Sequence, residues 1–182
     1  MTQVLDKNQT RLSPRRAHGR VVNVIAALLR KQLQIPNIYL NPKIPGVPAI
    51  DVLAVDRGGS GDVYGVQIVQ LAILPTETGI RRWLTQFEEI PLHFRYLAIQ
   101  ANEETLPTLR KLNHYEALFD STGIGRVGIL AYDERLLDPG AKVDSTLMSV
   151  IVQPERFRVR GEQLAKIEKF LVKTKPDIEV RI

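Results

Sequence analysis

Two β-rich segments around a glycine-rich turn constrain the fold of this chain more than any other feature. The first segment, Ala49 to Val55, is apolar on both faces apart from Asp51, which is the pattern of a central strand. Gly58-Gly59-Ser60-Gly61 is typical of a turn, and Val63 to Leu71 follows as a second β-rich run. The pattern therefore predicts a β-hairpin with one carboxylate in its first, buried strand.

A helix is predicted before this hairpin. Ser13-Pro14 has the residue types of an N-cap and a first helical position, and apolar residues then recur at helical spacing to near Gln34. Pro36 ends that helix, and Asn37 to Leu40 is predicted to form a short strand.

The segments after the hairpin alternate between helical and strand patterns. They predict, in order, a helix from Ile80 to Pro91, a strand from Phe94 to Gln100, a helix from Thr105 to Phe119, strands at Arg126–Tyr132 and Leu147–Gln153, and a last helix around Leu164–Leu171. The order α-β-β-β-α-β-α-β-β-α predicts an α/β fold, a mixed β-sheet flanked by helices on both faces. Residues 1–13 are expected to form a flexible basic arm, and residues 14–182 a single domain.

Composition excludes several classes of protein and of chemistry. The 182 residues contain no cysteine, which excludes disulfides, thiolate catalysis and cysteine-bound zinc. No apolar stretch approaches the roughly 20 residues that span a bilayer, so no membrane partner is expected. The N-terminus carries no apolar run of a secretory signal, and a cytoplasmic location is therefore the expectation.

The net charge of +5 is concentrated at the two ends of the chain, which often lie close together in a compact domain. The N-terminal cluster contains Arg11, Arg15, Arg16 and Arg20. Lysine and arginine clusters bind phosphate backbones chiefly through counterion release. The cluster therefore predicts either a nucleic-acid-binding surface or an ordinary solvated helix face, and the sequence leaves both open.

The opening helix, the three-stranded unit with an aspartate in its second strand, and the helix and strand that follow resemble the restriction-endonuclease-like superfamily, also called the PD-(D/E)XK nuclease fold. The resemblance covers roughly residues 14–132 and places Asp51 at the family's aspartate. The family's Glu-x-Lys motif is replaced here by Gln67-Ile68-Val69. The glutamate that the family often carries on the opening helix is also missing, and His18 is expected to point toward that helix's apolar stripe.

The resemblance implies a catalytically degenerate site. Activity in this family depends on a divalent metal, Mg²⁺ or Mn²⁺, for which Asp51 would be the ligand and Gln67 a weak neutral partner. A relocated base would have to come from Arg81 or Arg82. Asp51 and Gln67 are the catalytic candidates, yet a purely structural aspartate and a core glutamine remain open alternatives.

Three functions follow from these observations. The first is a non-catalytic protein associated with DNA or RNA through Arg15, Arg16, Arg20, Arg81 and Arg82. The second is an active Mg²⁺- or Mn²⁺-dependent nuclease that uses Asp51 and Gln67. The third is an interaction module, binding a protein partner or a second copy of itself, that kept the fold and lost the chemistry.

Overall fold

A computed structural model of the chain describes residues 12–57, 59–69, 89–103, 105, 107, 126–142, 144–159 and 161–177. Within these residues, helix α1 (Pro14–Gln32) precedes the strands and helix α2 (Gly161–Lys173) follows them. The strands are β1 (Asn37–Leu40), β2 (Val52–Val55), β3 (Val63–Ile68), β4 (Phe94–Ala101), β5 (Gly128–Asp133) and β6 (Met148–Val152). Short 3₁₀ helices at Glu134–Leu137 and Ser145–Leu147 lie between β5 and β6.

Helix α1 begins where its sequence predicts and ends at Gln32, two residues before the predicted end. Ser13 is the N-cap residue and Pro14 the first helical residue, although the Ser13 side chain makes no capping hydrogen bond. Arg30 and Lys31 lie in the last turn, where positive charge suits the helix dipole. Gln34 has a φ of 55°, so the chain turns out of the helix before it enters β1.

The strands form one mixed sheet in the order β1-β2-β3-β4-β5-β6. Strands β1, β2 and β3 pair antiparallel, which confirms the predicted hairpin between β2 and β3. Strands β3, β4 and β5 pair parallel, and β6 pairs antiparallel with β5. Parallel neighbours require crossover connections. The predicted helices at 80–91 and 105–119 belong to those connections and lie outside the described residues, apart from a few terminal positions.

The sheet separates two apolar cores. Val52 and Ala54 face α1, together with Val66 of the next strand. Leu53 and Val55 project to the opposite face, where residues of α2 complete the second core. The described helices therefore cover both faces of the sheet, as predicted. The basic segments that contain α1 and α2 consequently lie on opposite faces rather than side by side.

The outer edge of β1 is covered by the segment that follows α2. The Asp177 N–H donates to the Ile38 carbonyl at 2.8 Å, and the Leu40 N–H donates to Asp177 Oδ2 at 2.9 Å. A single residue thereby occupies two hydrogen-bonding groups on the free side of this strand. Among the described residues, no helix is long and apolar enough to cross a membrane.

Candidate functional site at the start of β2

Asp51 lies immediately before β2 rather than inside it, and its main chain joins three strands. Its N–H donates to the Val66 carbonyl at 3.1 Å, and its carbonyl accepts a hydrogen bond from the Asn41 N–H at 2.7 Å. Because both main-chain groups are bonded to neighbouring strands, the position of the Asp51 side chain is set by the sheet.

The Asp51 carboxylate is half-buried, with 21% of the side chain exposed, and both of its oxygens are engaged. Oδ2 accepts a hydrogen bond from the Ile68 N–H at 2.6 Å, and Oδ1 lies 3.3 Å from His18 Nε2. Burial raises the pKa of Asp51, against the opposing effects of the Ile68 N–H and the His18 charge. The carboxylate therefore has polar contacts but lacks a guanidinium or ammonium partner among these contacts.

His18 lies on the face of α1 that carries the buried residues, and its Nε2 contacts this carboxylate. Its Nε2 also lies 3.2 Å from Asn41 Oδ1, and 38% of its side chain is exposed. The available signal was its position at the amino-terminal end of the buried stripe, one turn before Val21 and Val22, where the helix meets the strand ends.

Asn41 is a second site residue that sequence reasoning missed. It follows β1 directly, precedes Pro42, and has a φ of 48°. Asparagine adopts this left-handed conformation more readily than most residues, so its identity suits the turn as well as the contact with His18.

Gln67 lies between Val66 and Ile68, which both belong to the core that faces α1, so its own side chain is on the α2 side of the sheet. Asp51 instead contacts His18 on the α1 side, and its N–H bonds to the Val66 carbonyl. The Gln67 side chain is half-buried, and its Oε1 is buried with no hydrogen-bond partner among the described residues. The two catalytic candidates therefore project to different sides of the sheet, and an unsatisfied amide oxygen is the distinctive feature of Gln67.

The predicted nucleic-acid-binding arginines differ in their surroundings. Arg15 and Arg16 are exposed in the first turn of α1, the turn before His18. Arg20 instead donates to the carbonyls of Leu136, Asp138 and Pro139, and so fastens α1 to the segment after β5. Arg81 and Arg82 lie outside the described residues.

The site residues fit a hydrolytic metal centre poorly. Mg²⁺ and Mn²⁺ prefer carboxylates and water, and Asp51 supplies a single carboxylate whose oxygens already have partners. Gln67 offers a neutral oxygen, and no group of three or more histidine and acidic side chains that could hold a metal ion occurs in the described part of the chain. The arrangement can accept and donate hydrogen bonds, but it lacks the charge that a two-carboxylate metal site provides.

A second polar cluster lies at the other end of the same hairpin, immediately before β3. Asp62 is buried, and its Oδ1 accepts hydrogen bonds from Arg156 Nε at 2.9 Å and Nη2 at 2.7 Å. Burial opposes ionisation of Asp62, but bonds from Arg156 and Ser60, with the charges of Arg156 and His93, lower its pKa below the usual value. No sequence pattern indicated this cluster, because Asp62 resembles the last residue of a polar turn.

His93 completes the second cluster as a neutral side chain. Its Nδ1 accepts a hydrogen bond from the Val63 N–H at 3.0 Å, which assigns the ring proton to Nε2. Asp62 Oδ1 is 3.7 Å from the same nitrogen. Burial lowers the pKa of His93, and this outweighs the opposing effect of the Asp62 charge. We assign this cluster a structural role, since its charges are matched internally.

Comparisons with known proteins supply no activity for either cluster. No family model matches the sequence, and no curated protein matches it. Among solved structures, the chain is similar to the SPO1766 protein of unknown function from Silicibacter pomeroyi, with 12% sequence identity and a TM-score of 0.48. That similarity covers 89% of this chain and 86% of the other.

Proposed function

We propose that this chain is a catalytically degenerate nuclease-fold protein that associates with nucleic acid through the first turn of α1. The observation that carries the proposal is the composition of the Asp51 site. It retains a single carboxylate, bonded to the Ile68 N–H and in contact with His18, while the other candidate, Gln67, is neutral and lies on the opposite side of the sheet. Such a site can hold its shape without a metal, and it lacks the second carboxylate that metal-dependent hydrolysis favours.

Exposed positive charge next to this site supports association with a polyanion. Arg15 and Arg16 are exposed one turn before His18, and no acidic residue lies in the first turn of α1. Arginine side chains contact phosphate oxygens without reading sequence. Arg20 is assigned a structural role instead, because three carbonyls accept its hydrogen bonds.

Binding to labelled single- and double-stranded DNA and RNA over a salt series, with no metal added, tests this proposal. We expect micromolar or tighter binding at low salt with a steep salt dependence. The double variant Arg15→Glu/Arg16→Glu should weaken binding at least about tenfold, because it replaces two phosphate contacts by repulsion.

The matched control is Arg30→Glu/Lys31→Glu, which makes the same charge change in the last turn of the same helix, about 22 Å away at 1.5 Å per residue. It should affect binding far less. Equal losses of affinity in both double variants would mean that net charge alone determines binding. If the wild type binds no nucleic acid at low salt, the proposal fails and the protein-interaction module becomes the favoured function.

A cleavage assay with Mn²⁺ separates the proposal from an active nuclease. We expect no cleavage of the nucleic acids that bind. Cleavage that depends on Mn²⁺ and disappears in Asp51→Ala would contradict catalytic degeneracy and show that the protein is an active metal-dependent nuclease.

A further inference from the structure

The segment from Asn41 to Ile50 joins the two helices that lie on opposite faces of the sheet. At its start, Asn41 Oδ1 is 3.2 Å from His18 Nε2 of α1. In its middle, the Gly46 carbonyl accepts a hydrogen bond from Lys166 Nζ of α2 at 3.0 Å. This segment, called the bridging loop below, therefore spans the end of the sheet from one helix to the other.

Apolar packing fixes the bridging loop against α2. Ile44 is buried in the same core as Ile167 and Leu171 of that helix, and Val47 packs against this core. Gly46 has a φ of 69°, and a Cβ at this position would lie 3.0 Å from Lys166 Nζ. The lysine and the loop are thus in close contact, and the loop backbone is held at a defined position.

The bridging loop itself carries only positive charge, although the exposed Asp177 bonds to Leu40 beside it and the exposed Glu162 lies one turn before Lys166. Residues 41–50 contain Lys43, which is exposed, and no acidic residue. Lys166 is also exposed, and the bond to Gly46 uses one of the three donors of its ammonium group. Asp51, which follows the loop, is half-buried and bonded to the Ile68 N–H.

We infer that Arg15, Arg16, Lys43 and Lys166 form one continuous track across the bridging loop for the phosphate backbone of a nucleic-acid duplex. The inference rests on the proposed function and adds the second half of the binding surface. The basic segments at the two ends of the chain lie on opposite faces, and the bridging loop is where they meet.

The chemistry of the track favours a duplex over a single strand. Non-specific single-strand binding depends on aromatic side chains on which bases stack. Residues 41–50 contain no aromatic residue on which a base could stack. They contain Lys43 and three prolines instead. Phosphate contacts of this kind position a duplex without reading its sequence.

The test is the double variant Lys43→Glu/Lys166→Glu of the full chain, measured against double-stranded DNA and double-stranded RNA. We expect at least about a tenfold loss of affinity at low salt. The slope of log affinity against log salt should fall by about 2 for DNA, since each phosphate contact contributes about 0.9. Both duplexes present a phosphate backbone, so comparing their affinities shows whether the track binds DNA or RNA more tightly.

Two further variants keep the result interpretable. Lys43→Gln/Lys166→Gln removes the charges without adding repulsion near the Gly46 carbonyl, and should show a smaller loss of the same sign. Arg30→Glu/Lys31→Glu again serves as the control for net charge. Thermal unfolding of every variant checks that the bridging loop remains folded.

The possible results separate the inference from the proposed function. If the wild type binds and Arg15→Glu/Arg16→Glu weakens binding, while Lys43→Glu/Lys166→Glu does not, the track is overturned and the proposed function stands. Preference for single strands over duplexes would also overturn it. If the wild type binds no nucleic acid at low salt, the proposed function fails, and the track fails with it.

Discussion

The β2–β3 hairpin carries an aspartate immediately before each of its strands, and the two carboxylates have opposite surroundings. Asp62 is buried and accepts two hydrogen bonds from the Arg156 guanidinium, which helps to lower its pKa. Asp51 is half-buried, its described contacts include no arginine or lysine, and burial raises its pKa. One carboxylate is thus stabilised as an ion, and the other is held where ionisation is disfavoured.

This difference separates a structural aspartate from a candidate site. A buried carboxylate that is matched by a guanidinium fixes two segments together, here the start of β3 and the segment after β6. A carboxylate that is only partly compensated is held in place by the rest of the fold, and such groups occur often at functional sites. The lack of a guanidinium or ammonium partner therefore marks Asp51 as a candidate site more clearly than its burial does.

The largest expected effect is on stability. Asp62→Ala should lower the free energy of unfolding by about 2 to 3 kcal/mol, because it removes charge-assisted hydrogen bonds from a buried position. Asp51→Ala should cost less than about 1 kcal/mol, since its ionised form is already disfavoured. Urea denaturation of the two variants at neutral pH measures both, and equal losses would contradict the contrast.

The two carboxylates should also give opposite pH dependences. The lowered pKa of Asp62 gives stability that is present above the unfolded value near 3.9 and lost as pH falls through the folded pKa. The raised pKa of Asp51 gives stability that is present below about 3.9 and lost as pH rises through the folded pKa. The free energy of unfolding of Asp62→Asn and of Asp51→Asn should be measured between pH 3 and pH 7. The difference from wild type should change with pH in opposite directions for the two variants.

The smallest effect concerns His93. Its lowered pKa means that stability present above about 6.5 is lost as pH falls from that value through the folded pKa. In His93→Asn the amide oxygen can replace Nδ1 as the acceptor for the Val63 N–H without titrating. Stability between pH 7 and pH 5.5 should therefore vary less in His93→Asn than in wild type, by a few tenths of a kcal/mol.

The secondary structure was largely predictable from local pattern. The predicted strand at Asn37–Leu40 is confirmed with the same bounds, and α1 ends within two residues of its predicted end. These segments have a regular spacing of apolar residues, and prolines mark their boundaries. The strand predicted from Ala49 begins only at Val52, because Asp51 bonds to the carbonyl of Val66, the residue that already pairs with Val52, and so lies outside the regular ladder.

The side-chain partners were not predictable in the same way. Strand alternation in the sequence favoured Gln67 facing Asp51 across the hairpin, but Asp51 precedes the regular pairing of β2 with β3 and contacts α1 instead. The sequence missed His18 and Asn41, since their contact depends on where α1 lies against the strand ends. It also missed the bond between Asp62 and Arg156, which are 94 positions apart.

Asp177 has a consequence for how separate molecules of this protein behave. An edge strand with free N–H and C=O groups is a template on which another chain can add a strand, and this is a common route to aggregation. The contacts of Asp177 with Ile38 and Leu40 cover part of that template on β1. A chain shortened to end before Asp177 should therefore aggregate more readily than the full chain, even where its melting temperature is unchanged.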